Sequence, residues 1–150
     1  MSLRGKIAIV TGGAGGIGKS IVQRFVAEGA SVIIGDMNVE GGEILAASLG
    51  ASAKFVRVDA GNEDSVKALM AETVTAFGRL DILVNNAVCF EFGHLLGAGN
   101  GSGTGTDKDI TDEAWQRVLN VNLLGYVRCT KHATQLFLKN EITGRRHHTG

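Results

Sequence analysis

Short apolar runs alternate along the chain with longer segments whose apolar residues recur at helical spacing. Four of these runs predict β-strands, at Ile7–Val10, Ser31–Gly35, Lys54–Val58 and Asp81–Asn85. Helices are predicted over residues 19–28, 39–49 and about 62–78, and from Thr111 or Asp112 to about Leu138. Strands separated by helices pair in parallel through right-handed crossovers, so the pattern predicts an α/β fold.

The length of the chain, 150 residues, predicts a single domain spanning residues 1–150. Residues 93–106 contain six glycines and few groups able to pack, which indicates a surface loop. We favour a tolerated insertion there over a lid on a binding site, because loops accept extra length at small entropic cost. Residues 140–150 are predicted to form a polar tail.

The composition of the chain limits the kinds of molecule it is expected to bind. Fifteen basic and fifteen acidic residues leave a formal net charge of zero, which argues against binding to nucleic acid or an anionic membrane. The two cysteines are too few for a disulfide framework, and the N-terminus leads directly into the first strand without a signal peptide. We therefore expect a cytoplasmic protein. His147 and His148 lack further ligands, so no metal site is expected.

A glycine-rich turn joins the first strand to the first helix. Residues 11–18 fit T-G-x-x-x-G-x-G, and residues 13–18 fit the overlapping G-x-G-x-x-G. Such glycines let backbone N–H groups and the positive helix end approach a pyrophosphate. Asp36 ends the second strand 18 positions after Gly18, about where a carboxylate meets the adenosine ribose hydroxyls. The alternative, a tight turn that binds nothing, is less favoured because the whole strand, turn, helix, strand and acid context is present.

Taken together, the motifs resemble those of the short-chain dehydrogenase/reductase family. They are Thr11-Gly12-x-x-x-Gly16-Ile17-Gly18, Asp59 after the third strand, Asn85-Asn86-Ala87 after the fourth, and Asn120-Val121-Asn122 in the long helix. The resemblance covers residues 3–138 outside the glycine-rich loop. It implies an incomplete Rossmann-like, doubly wound parallel sheet with strand order 3-2-1-4 and helices on both faces. It also implies hydride transfer between NAD(P) and an alcohol or carbonyl substrate.

The resemblance assigns a role to each matching residue. It implies that the pyrophosphate is lined by Gly12, Gly16, Ile17 and Gly18. It implies that Asp36 binds the adenosine ribose and that Asp59 and the Ala60 backbone contact the adenine. Asn86 and Ala87 would lie along the ribose next to the nicotinamide. Asn122 would hold a water of the catalytic proton relay. The alternatives are a helix cap or turn residue at Asp59 and a polar residue on a solvated helix face at Asn122. An acid at Asp36 repels a 2′-phosphate, so NAD is expected over NADP.

The chain departs from the family pattern at the catalytic end. Val88 replaces the glycine that follows Asn-Asn-Ala, and no catalytic serine or Tyr-x-x-x-Lys is present. The only tyrosine, Tyr126, has Thr130 four positions on, whereas Lys131 at the fifth lies about 100° further around the helix. We therefore expect a chain truncated before the catalytic residues, with an unpaired apolar strand edge at Ile82–Val84.

Three hypotheses follow for function. The chain is the cofactor-binding half of an NAD-dependent oxidoreductase that is inactive alone, a non-catalytic nucleotide-binding or interaction module, or a non-functional fragment. A homo-oligomer formed through the long helix, residues 112–138, is a further expectation, whereas the substrate cannot be inferred from these residues.

Overall fold

Four parallel strands form the centre of the molecule. A computed structural model describes residues 2–90 and 111–146, with side chains as far as residue 140, so the predicted loop at 93–106 lies outside the described residues. The strands are β1 (Ile7–Thr11), β2 (Ser31–Asp36), β3 (Ala53–Arg57) and β4 (Ile82–Val84). They pair in the order β3-β2-β1-β4, all in parallel, which confirms the predicted fold class and strand order.

Helices follow each strand except where the chain is not described. They are α1 (Gly16–Ala27), α2 (Val39–Leu49), α3 (Glu63–Phe77), α4 (Asp112–Leu119) and α5 (Tyr126–Arg146), with a short 3-10 turn at Gly50–Ser52. Side chains cap three of the helices, and the Asn38 Oδ1 accepts from the Gly41 N–H at the start of α2. The Asn62 Oδ1 accepts from the Ser65 N–H at the start of α3, and the Thr111 Oγ1 accepts from the Ala114 N–H at the start of α4.

Each face of the sheet has its own core. On one face, Ile9 and Ile33 pack with residues of α3 and α5, including Leu69 and Ala133. On the other face, the alternating strand residues Ala8, Val10, Val32 and Ile34 pack with residues of α1 and α2 such as Val22 and Leu45. Successive strand residues point to opposite faces, so full burial of β1 requires helices on both sides, as the resemblance implies.

The predicted long helix contains a π-helical turn. Residues Asn120–Gly125 form this turn between α4 and α5, and helical backbone continues on either side of it. The prediction that the helix ends near Leu138 is wrong, because α5 continues to Arg146 and takes in the first part of the expected polar tail. No proline interrupts this segment, and Arg145 and Arg146 are basic residues of the kind that favour a helix C-terminus.

The strand β4 lies at one edge of the sheet and is only three residues long. Val10 of β1 pairs with Val84, and all three residues of β4 are partly buried. This arrangement matches the apolar edge expected at Ile82–Val84. It also brings the segment after β4 beside the glycine turn after β1, at the carboxyl ends of both strands.

Candidate functional site

A cleft of about 640 Å³ opens at the carboxyl ends of the strands. Eight of the ten residues predicted for the site line it: Gly12, Gly16, Ile17, Asp36, Asp59, Ala60, Asn86 and Ala87. Gly18 and Asn122 do not line it. Binding in a crevice beyond the carboxyl ends of the strands is the general arrangement of open α/β sheets.

The glycine turn is shaped by two close approaches. Gly12 has a φ of +65°, and a Cβ there would lie 2.9 Å from the Ala87 Cα. A Cβ on Gly18 would lie 2.0 Å from the carbonyl oxygen of Gly12, so Gly18 has a packing role behind the cleft. By contrast, a Cβ at Gly15 or Gly16 would meet no atom within 4 Å. The bare backbone at these two positions faces open space at the N-terminus of α1, which fits an anionic group.

Asp36 ends β2 with both carboxylate oxygens engaged by the backbone. Its Oδ2 accepts from the Ala14 N–H at 2.9 Å, and its Oδ1 accepts from the Asn38 N–H at 2.9 Å. Each oxygen has a second lone pair, so these bonds fix the carboxylate and still leave acceptors for hydroxyl groups. Asp36 and Asp59 are the only charged residues among those that line the cleft in the described part of the chain.

Asp59 combines a turn role with a place in the cleft wall. Its Oδ1 accepts from the Gly61 N–H at 2.8 Å, and its own N–H donates to the Ser65 Oγ at 3.0 Å. The alternative interpretation of Asp59 as a turn residue therefore describes a real interaction. Asp59 and the neighbouring Ala60 both line the cleft as well, so the turn interaction is compatible with the binding role that the resemblance implies.

Thr11 joins the two strand ends that meet at the cleft. Its Oγ1 donates to the Val84 carbonyl and accepts from the N–H groups of Asn86 and Ala87 at 3.0 and 3.1 Å. The Asn86 side chain adds two hydrogen bonds between the same strand ends, because its Nδ2 donates to the carbonyls of Thr11 and Gly12. Sequence reasoning quoted Thr11 only as part of the motif. The signal that could have identified Thr11 was its hydroxyl group at the last position of an otherwise apolar, buried strand.

Asn122 is held by the backbone of a single residue. Its Oδ1 accepts from the Cys89 N–H at 2.7 Å, and its Nδ2 donates to the Cys89 carbonyl at 3.0 Å. The paired bonds fasten the segment after β4 to the π-helical turn. The structure therefore contradicts the alternative of a residue on a solvated helix face. The role of Asn122 in a proton relay stays a prediction.

The segment after β4 contributes Val88, Cys89 and Phe90 to the cleft wall, and both Val88 and Phe90 are exposed. Val88 therefore stands in the cleft wall where the family resemblance expects glycine. Tyr126 begins α5 and is absent from the cleft lining. Burial raises the pKa of the other cysteine, Cys129, to about 11, so this thiol stays protonated near neutral pH.

Several lining residues were not predicted: Gly15, Gly35, Met37, Asn38, Val58 and Val121, in addition to Val88, Cys89 and Phe90. Most are immediate neighbours of motif residues, so proximity in sequence was the available signal. Residues 2–90 and 111–146 contain no group of three or more potential metal-ligating side chains. No helix in the same part of the chain is long and apolar enough to cross a membrane.

Comparison with known protein families decides the classification. The short chain dehydrogenase family matches residues 6–145, nearly the whole chain. The chain belongs to this family. Members of the short-chain dehydrogenase family bind NAD(H) or NADP(H), and the glycine turn, open backbone and cleft acids described above fit such a cofactor.

Known dehydrogenases are similar over most of this chain. It is 37% identical over 140 residues to 3beta-hydroxysteroid dehydrogenase 2 of Eggerthella lenta, covering 91% of this chain and 50% of that protein. It is 34% identical over 145 residues to galactitol 2-dehydrogenase of Agrobacterium fabrum, covering 97% and 52%. The chain thus spans about half the length of the curated relatives it matches.

A solved structure agrees with the fold. The 3-ketoacyl-(acyl-carrier-protein) reductase of Brucella melitensis, in a crystal structure complexed with NADH, superposes with a TM-score of 0.84 at 31% identity. The match covers 95% of this short-chain dehydrogenase chain and 55% of the reductase. The steroid, sugar alcohol and acyl substrates named for these three proteins differ, so family membership leaves the substrate open.

Proposed function

We propose that this chain supplies the NAD(H)-binding part of an oxidoreductase that moves a hydride between NAD(H) and an alcohol or carbonyl compound. The observation that carries the proposal is the cleft, which is lined by open glycine backbone at the start of α1 and by two acids, Asp36 and Asp59. Glycine N–H groups suit a pyrophosphate, and carboxylates suit the hydroxyl and amino groups of adenosine.

In this proposal each wall of the cleft holds one part of the cofactor. Gly12, Gly16, Ile17 and Gly18 form the pyrophosphate turn, and Asp36 accepts from the adenosine ribose. Asp59 and Ala60 receive the adenine, and Asn86 and Ala87 support the ribose next to the nicotinamide. The cofactor supplies the hydride chemistry, while these residues bind and orient it.

A preference for NAD(H) over NADP(H) follows from the charge of the cleft. Two carboxylates and no Lys or Arg line the cleft in the described part of the chain, so a 2′-phosphate would meet negative charge. Arg57 is the strand partner of Asp36 on β3 but does not line the cleft. We expect calorimetry to show NADH binding at least about tenfold more tightly than NADPH. Asp36→Ala should narrow this ratio, mainly by weakening NADH binding.

Asp64→Ala is the matched control, because Asp64 is an exposed carboxylate on α3 that pairs with Lys67 and does not line the cleft. It should leave both affinities unchanged. A wild-type chain that binds NADPH more tightly than NADH would contradict the proposed preference, and one that binds neither would contradict the proposed function.

We further propose that these 150 residues bind cofactor without turnover. Among the groups of the proton relay, only Asn122 has a counterpart, and general acid–base help is typically worth about 10²–10⁴-fold. The expected result is no alcohol- or ketone-dependent change in NADH absorbance. If turnover is seen and Tyr126→Phe abolishes it, the only tyrosine is catalytic and this part of the proposal is wrong.

The proposal includes a second copy of the chain packed on the long helix. Trp115, Leu119, Leu123 and Val127 follow one another at intervals of four residues and are exposed, which is unusual for large apolar side chains on one helical segment. A homo-oligomer through this surface would bury them. The cytoplasmic location expected from the cysteine content also stays part of the proposal.

A further inference from the structure

A side chain from the next helix contacts the first residue of the π-helical turn Asn120–Gly125. The Arg128 Nη1 donates to the Asn120 carbonyl at 2.9 Å, and its Nη2 donates to the Asn120 Oδ1 at 2.7 Å. The planar guanidinium therefore holds the backbone and the side chain of the same residue. Both side chains are partly buried, where such charge-assisted bonds are less screened by solvent.

The orientation of the Asn120 amide has a consequence outside the helix. Because its oxygen accepts from Arg128, its Nδ2 faces the loop after β3 and donates to the Gly61 carbonyl at 3.0 Å. The Arg128 Nη1 also lies 3.5 Å from the Ala60 carbonyl, at the outer limit of a hydrogen bond. Two consecutive carbonyls of the loop therefore face donors from one Asn–Arg pair.

Glycines allow the loop and the turn to approach this closely. A Cβ on Gly61 would lie 2.8 Å from the Asn120 Nδ2, and a Cβ on Gly125 would lie 3.1 Å from the Ala60 carbonyl oxygen. On its other side, the loop presents Asp59 and Ala60 to the cleft. The Gly61 N–H donates to the Asp59 carboxylate and the Gly61 carbonyl accepts from Asn120, so the backbone of Gly61 connects the two side chains.

We propose that Arg128 and Asn120 are positioning residues that hold the loop 59–61 in the orientation that receives the adenine of the cofactor. This inference rests on the proposed function of the cleft. Neither side chain lines the cleft, so both act through the loop rather than on the cofactor. Nothing in the glycine motif or in the two acids requires an arginine at position 128.

The test compares two dinucleotides that differ in the purine ring. Calorimetry measures binding of NAD⁺ and of nicotinamide hypoxanthine dinucleotide, which has an oxo group in place of the adenine amino group and a proton on N1. A hydrogen bond from that amino group to the Asp59 carboxylate should favour NAD⁺ by about tenfold in the wild-type chain. General loosening of the cleft would weaken both dinucleotides equally and leave this ratio unchanged, whereas a displaced loop lowers the ratio.

Arg128→Leu should weaken NAD⁺ binding by about tenfold and reduce the ratio to about two or less. Arg128→Lys keeps the positive charge and an aliphatic stem but loses the planar fork, so it should also reduce the ratio, to about half or less of the wild-type value. If the leucine variant does not fold, the binding ratio of the Arg128→Lys variant tests the positioning role. Lys131→Leu is the control, since it removes a cation and an ion pair with Glu63 from the same helix without touching the loop.

An unchanged ratio in a folded Arg128→Leu chain, or in Arg128→Lys, would overturn the positioning role. A wild-type ratio near one would overturn it as well, because the loop would then not read the amino group. A wild-type chain that binds neither dinucleotide would refute the proposed function, and this inference with it. A reduced ratio in Lys131→Leu would also count against it, since the effect would not be specific to the Arg128 contacts.

Discussion

At the residue scale, the glycines of the turn divide into those required by packing and those that leave space. Gly18 is buried against the Gly12 carbonyl, whereas Gly15 faces the open cleft. The sequence motif treats all of them alike, because a spacing of glycines carries no information about which neighbour each one meets. The hydrogen bonds of Thr11 and Arg128 were not predicted for a related reason. Their partners lie 73 and 8 positions away, respectively, and only the folded chain brings them together.

A pair of alanine substitutions tests this division. Gly18→Ala would force a methyl group against backbone, which typically costs about 1–3 kcal/mol, so the melting temperature should fall by several degrees, roughly 5 °C. Gly15→Ala places the same methyl group in open space and should change the melting temperature by less than about 2 °C. The measurement is thermal unfolding followed by circular dichroism. Equal losses in the two variants would contradict the assignment.

At the element scale, the strands and helices were predictable because their apolar periodicity is strong. The four strands differ from their predicted bounds by no more than one residue at either end. The π-helical turn was not predictable, since the apolar residues on either side of it keep a spacing compatible with an uninterrupted helix. It matters for the site because it turns Asn120 toward the loop 59–61 and Asn122 toward Cys89.

The contact between α3 and α5 should depend on pH. Hydrogen bonds from Lys131 and His132 to Glu63 lower the pKa of this carboxyl from 4.5 to about 2. Because the folded-state pKa is the lower one, the stabilisation is complete above pH 4.5 and is lost as the pH falls toward 2. The exposed position of the Glu63 and Lys131 side chains keeps the effect modest.

Urea unfolding between pH 3 and pH 7 measures this contribution. Glu63→Gln should be less stable than wild type at pH 6, and the difference should shrink as the pH falls below 4.5. Glu72→Gln, which removes a carboxylate of the same helix that pairs with Lys54 instead, should follow the pH trend of wild type. A constant difference between Glu63→Gln and wild type over the whole range would show that the ion pair does not contribute.

At the scale of the whole molecule, the exposed apolar residues of the long helix predict self-association. Leu123 is 56% exposed between Leu119 and Val127, so a charge there should not disturb the core of one copy. Sedimentation velocity should show a dimer or larger species for wild type and a shift toward monomer for Leu123→Asp. Ile44→Asp is the control, because Ile44 is an equally exposed apolar residue on α2. A monomeric wild-type chain would contradict the proposed interface.

The fold and the grouping of most predicted site residues around one cleft followed from the sequence because both depend on local patterns. Strand, glycine turn, helix and terminal acid are contiguous, so Gly12, Gly16, Asp36 and their neighbours could be placed together before the structure was known. The Tyr-x-x-x-Lys pattern that the resemblance implies is not found among these 150 residues, so sequence reasoning assigned no residues to that role. Residues that would select a substrate were therefore not predicted from the sequence.

In the proposed function, NAD(H) occupies the cleft at the carboxyl ends of the strands. The most direct test of this binding is an NADH titration of the ¹⁵N-labelled chain, followed through the backbone amide resonances. We predict saturable shifts that are largest at the backbone amides of Gly15, Gly16, Ile17 and Ala60, all of which line the cleft. A second groove is lined by α4 and the π-helical turn, around Gln116 and Leu124. Shifts confined to that groove would contradict this prediction, and so would the absence of saturable shifts.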